Sequence, residues 1–171
     1  MKIKLQKTKT MRTKSLNKFA FLVSLLLLVS CDSNKVYDEY VAINPEGWIS
    51  TETIDFSVEL NSTQGDLYDV LIGLRNNNDY LYSNLFLFVE VENPMGETSI
   101  DTLQYLVSEP NGSWIGTGIG SIKHNLFKYK ESQDLQTGIY KFKIRQGMRS
   151  HILLGLEDIG IRIESVNLNE H

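Results

Sequence analysis

Along most of the chain, apolar and polar residues alternate in short runs, the period-2 signature of strands with one face buried. Ile54-Asp55-Phe56-Ser57-Val58-Glu59-Leu60 alternates without a break, and Gln64-Gly65-Asp66 follows as a turn. Residues 68–75 form a second run, stopped by Asn76-Asn77-Asn78-Asp79. Residues 84–92 are the most apolar run and predict a strand central in its sheet; Asn93-Pro94-Met95-Gly96 ends it. Residues 98–107 give a further strand before the Pro110-Asn111-Gly112 turn. In the second half, 139–145 alternates with its lysines outward, and 159–164 closes the body with the same pattern. Weaker strands are expected at 36–43 and 122–130. The best helical candidate, 148–156, would make only about two turns. The pattern predicts an all-β, antiparallel β-sandwich, jelly-roll-like, with seven to nine strands and at most one short helix.

The beginning of the chain follows a different rule. Seven basic residues and no acidic ones lie in residues 1–30, and 19–29 is an apolar stretch broken only by Ser24. Eleven helical residues span about 17 Å, short of the roughly 30 Å of a bilayer core. This reads as a signal-peptide hydrophobic region behind a positive leader, whether translation starts at Met1 or Met11. Leu28-Val29-Ser30-Cys31 resembles the bacterial lipobox, and Cys31, the chain's one cysteine, stands where such a signal needs a thiol. The resemblance implies that Cys31 is diacylglycerated, becomes the mature N-terminus and is N-acylated. One acyl chain anchors only marginally, at about 0.8 kcal/mol per buried CH₂, whereas two or more hold stably. The expected division is a lipoprotein signal peptide over 1–30, a lipidated tether over 31–45 and a β-sandwich domain over 46–171.

Charge narrows the function. The net charge of −4 hides an acidic stretch: residues 31–114 carry 15 acidic residues against Lys35 and Arg75, while 115–171 carries eight basic and six acidic residues. A mature body of that sign repels polyanions, which argues against nucleic-acid binding. One cysteine forms neither an internal disulfide nor a cysteine zinc site. His124, His151 and His171 have no carboxylate at ligand spacing, and no calcium loop occurs, so no metal is expected. Gly116-Thr117-Gly118-Ile119-Gly120 lacks the phosphate-binding patterns and reads instead as a close backbone approach or a bulge. No G-x-S-x-G elbow is present, and nothing singles out two of the 21 acidic residues as a glycosidase pair. No catalytic residue, cofactor or small-molecule substrate is therefore expected.

The aromatic and basic residues carry the candidate partner surface. An extended segment would put Tyr80, Tyr82 and Asn84 on one face, and Trp114 follows a turn. Aromatics near Arg75 fit an interface, although strand tyrosines also cap cores. Lys141, Lys143 and Arg145 share one side of a strand. They could pair across strands with Glu90 and Glu92, or form a docking edge for an acidic partner with Arg75, Tyr80 and Tyr82 at its margin. A competing function is carbohydrate binding, which would need Trp114, Tyr80 and Tyr82 coplanar in a groove.

Four segments together resemble a known family. They are Leu74-Arg75-Asn76 with Tyr80-Leu81-Tyr82-Ser83-Asn84-Leu85; Gly112-Ser113-Trp114-Ile115-Gly116-Thr117-Gly118; Gly138-Ile139-Tyr140-Lys141-Phe142; and Gly147-Met148-Arg149 with Asp158-Ile159-Gly160-Ile161-Arg162-Ile163. Their order over residues 37–164 is similar to the gliding motility lipoprotein GldH family of Bacteroidetes, with a departure confined to the loop around 105–111. The resemblance implies an envelope lipoprotein associated with gliding motility and type IX secretion, with no assigned catalytic residues. Its expected partners are other envelope lipoproteins of that apparatus. Surface-exported lipoproteins of that phylum resemble a pattern with an acidic pair soon after the Cys; Asp32 stands alone before Ser33-Asn34-Lys35, so what the resemblance implies is the periplasmic face of the outer membrane. Asp101-Thr102-Leu103 resembles a short O-glycosylation sequon of that phylum, which makes Thr102 a candidate modification site.

Overall fold

The structure, a computed structural model, describes residues 34–166. The expected signal peptide, Cys31 and His171 lie outside the described residues. Ten strands follow in order: β1 Lys35–Ala42, β2 Trp48–Ile49, β3 Ile54–Leu60, β4 Tyr68–Asn76, β5 Asn84–Glu92, β6 Thr98–Leu106, β7 Lys123–Gln133, β8 Gly138–Gln146, β9 Ile152–Leu153 and β10 Leu156–Ser165. Eight are long, and they form two four-stranded antiparallel sheets. The first sheet is ordered β1-β10-β4-β7 and the second β3-β8-β5-β6; β2 and β9 make a separate two-stranded ribbon. The first long strand pairs with the last, the second with the seventh, the third with the sixth and the fourth with the fifth. One long hairpin has thus been wound around a core, which is the connectivity of a jelly roll.

The alternation in the sequence is the reason for the two layers. In β3 every second side chain, Ile54, Phe56, Val58 and Leu60, is buried while Asp55, Ser57 and Glu59 face water. β8 does the same with Tyr140, Phe142 and Ile144 inside. From the first sheet, Val70, Ile72 and Leu74 of β4 and Ile159, Ile161 and Ile163 of β10 complete the core. On one side of the sandwich the edge strands β6 and β7 are tied by side chains. Tyr105 stacks on Phe127 with ring centroids 4.4 Å apart, and its hydroxyl donates to the Lys128 carbonyl at 3.1 Å. The Tyr129 hydroxyl donates to Asp101 Oδ2 at 2.7 Å, and Lys130 Nζ lies 2.9 Å from the same oxygen.

The body has two unlike ends. At one end, here the base, lie the start of β1 and the short connections 61–67, 93–97 and 134–137. At the other lie the connections 43–53, 77–83, 107–122 and 147–155, three of them longer than any at the base and the first and last bearing the small ribbon.

The strand count is corrected. There are ten strands rather than seven to nine, because the two-residue β2 and β9 are too short to leave a periodic signal. The best helical candidate, 148–156, is a turn followed by β9, within the expectation of at most one short helix. Buried Gln146 donates to the Ser150 carbonyl at 3.0 Å and accepts from Met148 N–H at 2.9 Å, closing the turn with bonds a helix would need elsewhere. The weaker strand expected at 36–43 is β1, which pairs with β10 from Lys35↔Glu164 to Ala42↔Asp158.

Candidate functional site

The basic strand was the sharpest expected surface, and the sheet order decides its fate. β8 lies between β3 and β5, so it is an inner strand and not a docking edge. Its outward residues pair in register with β5: Lys143↔Glu90, Lys141↔Glu92 and Arg145↔Phe88. Lys141 Nζ donates to Glu92 Oε1 at 2.7 Å and Lys143 Nζ to Glu90 Oε1 at 3.2 Å. These hydrogen bonds hold the Glu92 carboxyl below its ordinary range and the Lys143 ammonium above its own. The Arg145 guanidinium sits 4.7 Å from the Phe88 ring centroid, a cation–π geometry.

Arg75 is not at the margin of that strand. It stands on β4 in the first sheet, where Nε donates to Asp158 Oδ1 at 2.8 Å and Nη2 to Oδ2. Asp158 is buried, and the hydrogen bonds raise the guanidinium pKa further above an already high value. Beside this fork, Tyr40 of β1 lies across the cross-strand pair Gly160↔Gly73. A Cβ on Gly73 would fall 2.1 Å from the Tyr40 hydroxyl, and one on Gly160 would fall 2.5 Å from the Glu39 carbonyl. Only glycine fits beneath the ring at either position. Tyr40 Oη and His124 Nε2 are hydrogen-bonded at 2.7 Å, and the Arg75 guanidinium lies 5.8 Å from the Tyr40 centroid. Burial first, then Asp38 and Asp158, raise the Tyr40 pKa. Tyr40, His124 and Asp158 were missed by sequence reasoning. The available signal was a glycine in the middle of each of two strand runs, which marks a close approach.

The expected aromatic platform does not assemble. Tyr80 is 3% exposed, with its hydroxyl donating to the Asn84 carbonyl at 2.7 Å, and its ring meets Tyr82 edge-on at 64°. Trp114 is half-buried in the loop after β6, and its Nε1–H donates to Asn78 Oδ1 at 3.3 Å. Tyr80 is thus a core residue rather than a contact residue. Tyr82 alone of the pair is open, lining a hollow of about 440 Å³ with Phe86, Gly147, Met148 and Arg149. Thr102 faces solvent on the edge strand β6. The glycine-rich loop packs closely: a Cβ on Gly116 would meet Asn125 Oδ1 at 2.6 Å, and one on Gly118 the Ile122 carbonyl at 2.4 Å.

A cleft of about 600 Å³ opens between the longer connections, lined by Ile43, Asn77, Asp79, Leu81, Leu154 and Glu157 among others. Of its two carboxylates, Glu157 accepts from the Asn77 amide at 2.6 Å. Among the described residues, no three His, Cys, Asp or Glu side chains gather to hold a metal ion. What the surface offers chemically is a set of ion pairs spent on one another, plus a small aromatic hollow with one free-standing arginine at its rim.

Comparison with known proteins follows this geometry. The family model described as GldH lipoprotein matches residues 35–163, from the first residue of β1 into β10. A protein of Christiangramia forsetii named gliding motility lipoprotein GldH homolog is 41% identical over 155 residues, covering 85% of this chain and 93% of that protein. The gliding motility lipoprotein GldH of Flavobacterium johnsoniae is 37% identical over 156 residues, covering 86% and 96% respectively. Among solved structures, the dimeric latent PorU of Porphyromonas gingivalis is 14% identical at a TM-score of 0.32, covering 82% of this chain and 14% of that one, a likeness too loose to inform function. With the family match spanning the whole wound body and two relatives similar almost end to end, the chain belongs to the GldH lipoprotein family.

Proposed function

We propose that this chain is a lipoprotein of the gliding motility apparatus, held in the cell envelope by acylated Cys31 and acting without catalysis through contacts with partner lipoproteins. The finer reading places it on the periplasmic face of the outer membrane, serving the motility and type IX secretion machinery as an accessory. The observation that carries it is a family match over residues 35–163, nearly all of the folded body, with named gliding motility relatives at 37–41% identity.

Crosslinking in intact envelopes, followed by capture of the tagged protein, tests the partner claim. Other envelope lipoproteins should co-purify, and a capture that returns only this chain counts against it. Deleting the gene in a gliding host should stop colony spreading. Cys31→Ala removes the thiol that would receive lipid, with no strand altered, so the body should fold yet fractionate as soluble protein or as an unprocessed precursor. If it sediments with the outer membrane as the parent does, the anchor is elsewhere. Degradation by protease added to intact cells would overturn the periplasmic placement.

A further inference from the structure

We infer that the base of the sandwich faces the lipid bilayer, and that the end bearing the long connections, with the Tyr82, Phe86, Met148 and Arg149 hollow, is held away from it. The inference rests on the reading of Cys31 as the lipidated first residue of the mature chain. The first described residue, Asn34, is tied to the last strand: its carbonyl accepts from Ser165 N–H at 2.7 Å and from the Ser165 hydroxyl at 3.3 Å. Three residues beyond Cys31 reach Asn34. Fully extended, they span at most about 11 Å. A nine-residue strand such as β4, by contrast, is about 30 Å long at 3.3 Å per residue. A leash about a third the length of the body cannot turn it over. β1 also runs upward from the base, so the chain enters the body along the strand axis from that side. A free tether over 31–45 would have allowed every orientation; the pairing of β1 with β10 removes that freedom.

Charge does not supply the orientation. The connections 61–67, 93–97 and 134–137 contain Asp66, Glu97 and Asp134 and neither Lys nor Arg, and Lys35 at the start of β1 is paired with Asp38 at 3.3 Å. Anionic headgroups repel such a surface. The base is therefore held near the membrane by the shortness of the leash and not by affinity, and a longer leash should release it.

The test uses the full acylated protein in vesicles of phosphatidylethanolamine and phosphatidylglycerol doped with a nitroxide-headgroup lipid. Acylation occupies the Cys31 thiol, so Met95→Cys and Leu81→Cys each present one thiol for a bimane label. Met95 (63% exposed) tips a base turn and Leu81 (83% exposed) tips a connection at the far end, so neither change disturbs packing. Bimane at 95 should be quenched several-fold more than bimane at 81. Inserting about 15 Gly and Ser residues before Asn34, a coil of about 21 Å r.m.s. span, should abolish the difference. Equal quenching in the unextended protein overturns the orientation, and so does a difference that survives the insertion. The mass of the mature chain separates the two readings. A chain without acyl groups overturns the anchor and this inference together, whereas an acylated chain with equal quenching overturns the orientation alone.

Discussion

The outer faces of the two sheets solve the same problem, charged residues on a solvated strand, in opposite ways. On the second sheet, Lys141–Glu92 and Lys143–Glu90 form a ladder open to water on both members. On the first, Asp158 is 5% exposed beneath the Arg75 fork, and a tyrosine covers two glycines beside it. The difference is depth. An exposed pair gains little, because water screens it and two long side chains must be held still. A carboxylate removed from water depends on its partners for every hydrogen bond it makes. The same residue types therefore decorate one face and structurally commit the other.

That contrast can be broken by substitution, beginning with the largest expected effect. Gly160→Ala puts a methyl group 2.5 Å from the Glu39 carbonyl and against the Tyr40 ring. It should destabilise the body by about 2–3 kcal/mol in urea denaturation, the usual scale of forced overpacking; a change near zero would mean that β1 is not seated where described. Asp158→Ala removes both acceptors of the Arg75 fork. Because Arg75 is half exposed and water can take it over, the expected loss is about 2 kcal/mol rather than the larger figure for a fully buried pair.

Asp101 lies between the extremes, reaching from β6 to Tyr129 and Lys130 on β7. Hydrogen bonds from Tyr129 first, then Lys130, hold its carboxyl below the ordinary range. A depressed carboxyl stabilises above its unfolded-state pKa, and the effect is lost as pH falls through the folded value. Asp101→Asn should therefore lower stability at neutral pH, by less than about 1 kcal/mol for so open a site, and converge with the parent in acid. Melting curves at several pH values check this, and parallel curves would refute it. Smallest of all, Lys141→Ala with Lys143→Ala should leave the melting temperature within experimental scatter. A loss equal to that of Asp158→Ala would erase the contrast between the two faces.

Much of this was written locally. The runs at 54–60 and 139–145 alternate so regularly that strand, face and neighbour class follow from period alone, and both became strands with that burial pattern. Even the Lys141–Glu92 and Lys143–Glu90 partners were legible, since opposite charges alternated along two strands. The Tyr40 cluster was not, because its members come from strands far apart in sequence, and only the winding brings Gly160 and Gly73 side by side. Of the two readings of Tyr80, partner contact or core cap, the winding selects the second. Its period-2 spacing with Tyr82 and Asn84 is real, but Gly155 (φ +80°) brings a distant turn down upon its backbone, where a Cβ would fall 2.0 Å from Tyr80 N. β1 was legible only as a weak strand, because an edge strand with Asp38 and Glu39 side by side shows no clean alternation.

The pairing of the first strand with the last also sets an order of events. β1 emerges earliest from any machine that releases the chain N-terminus first, yet its hydrogen-bond partner, β10, ends at Ser165. Until that point its backbone donors and acceptors are satisfied by water alone, and the first sheet cannot close. Contacts so distant in sequence must repay a large loop-closure entropy, which places the body among slowly folding topologies. The first strand of the body is thus among the last to become native.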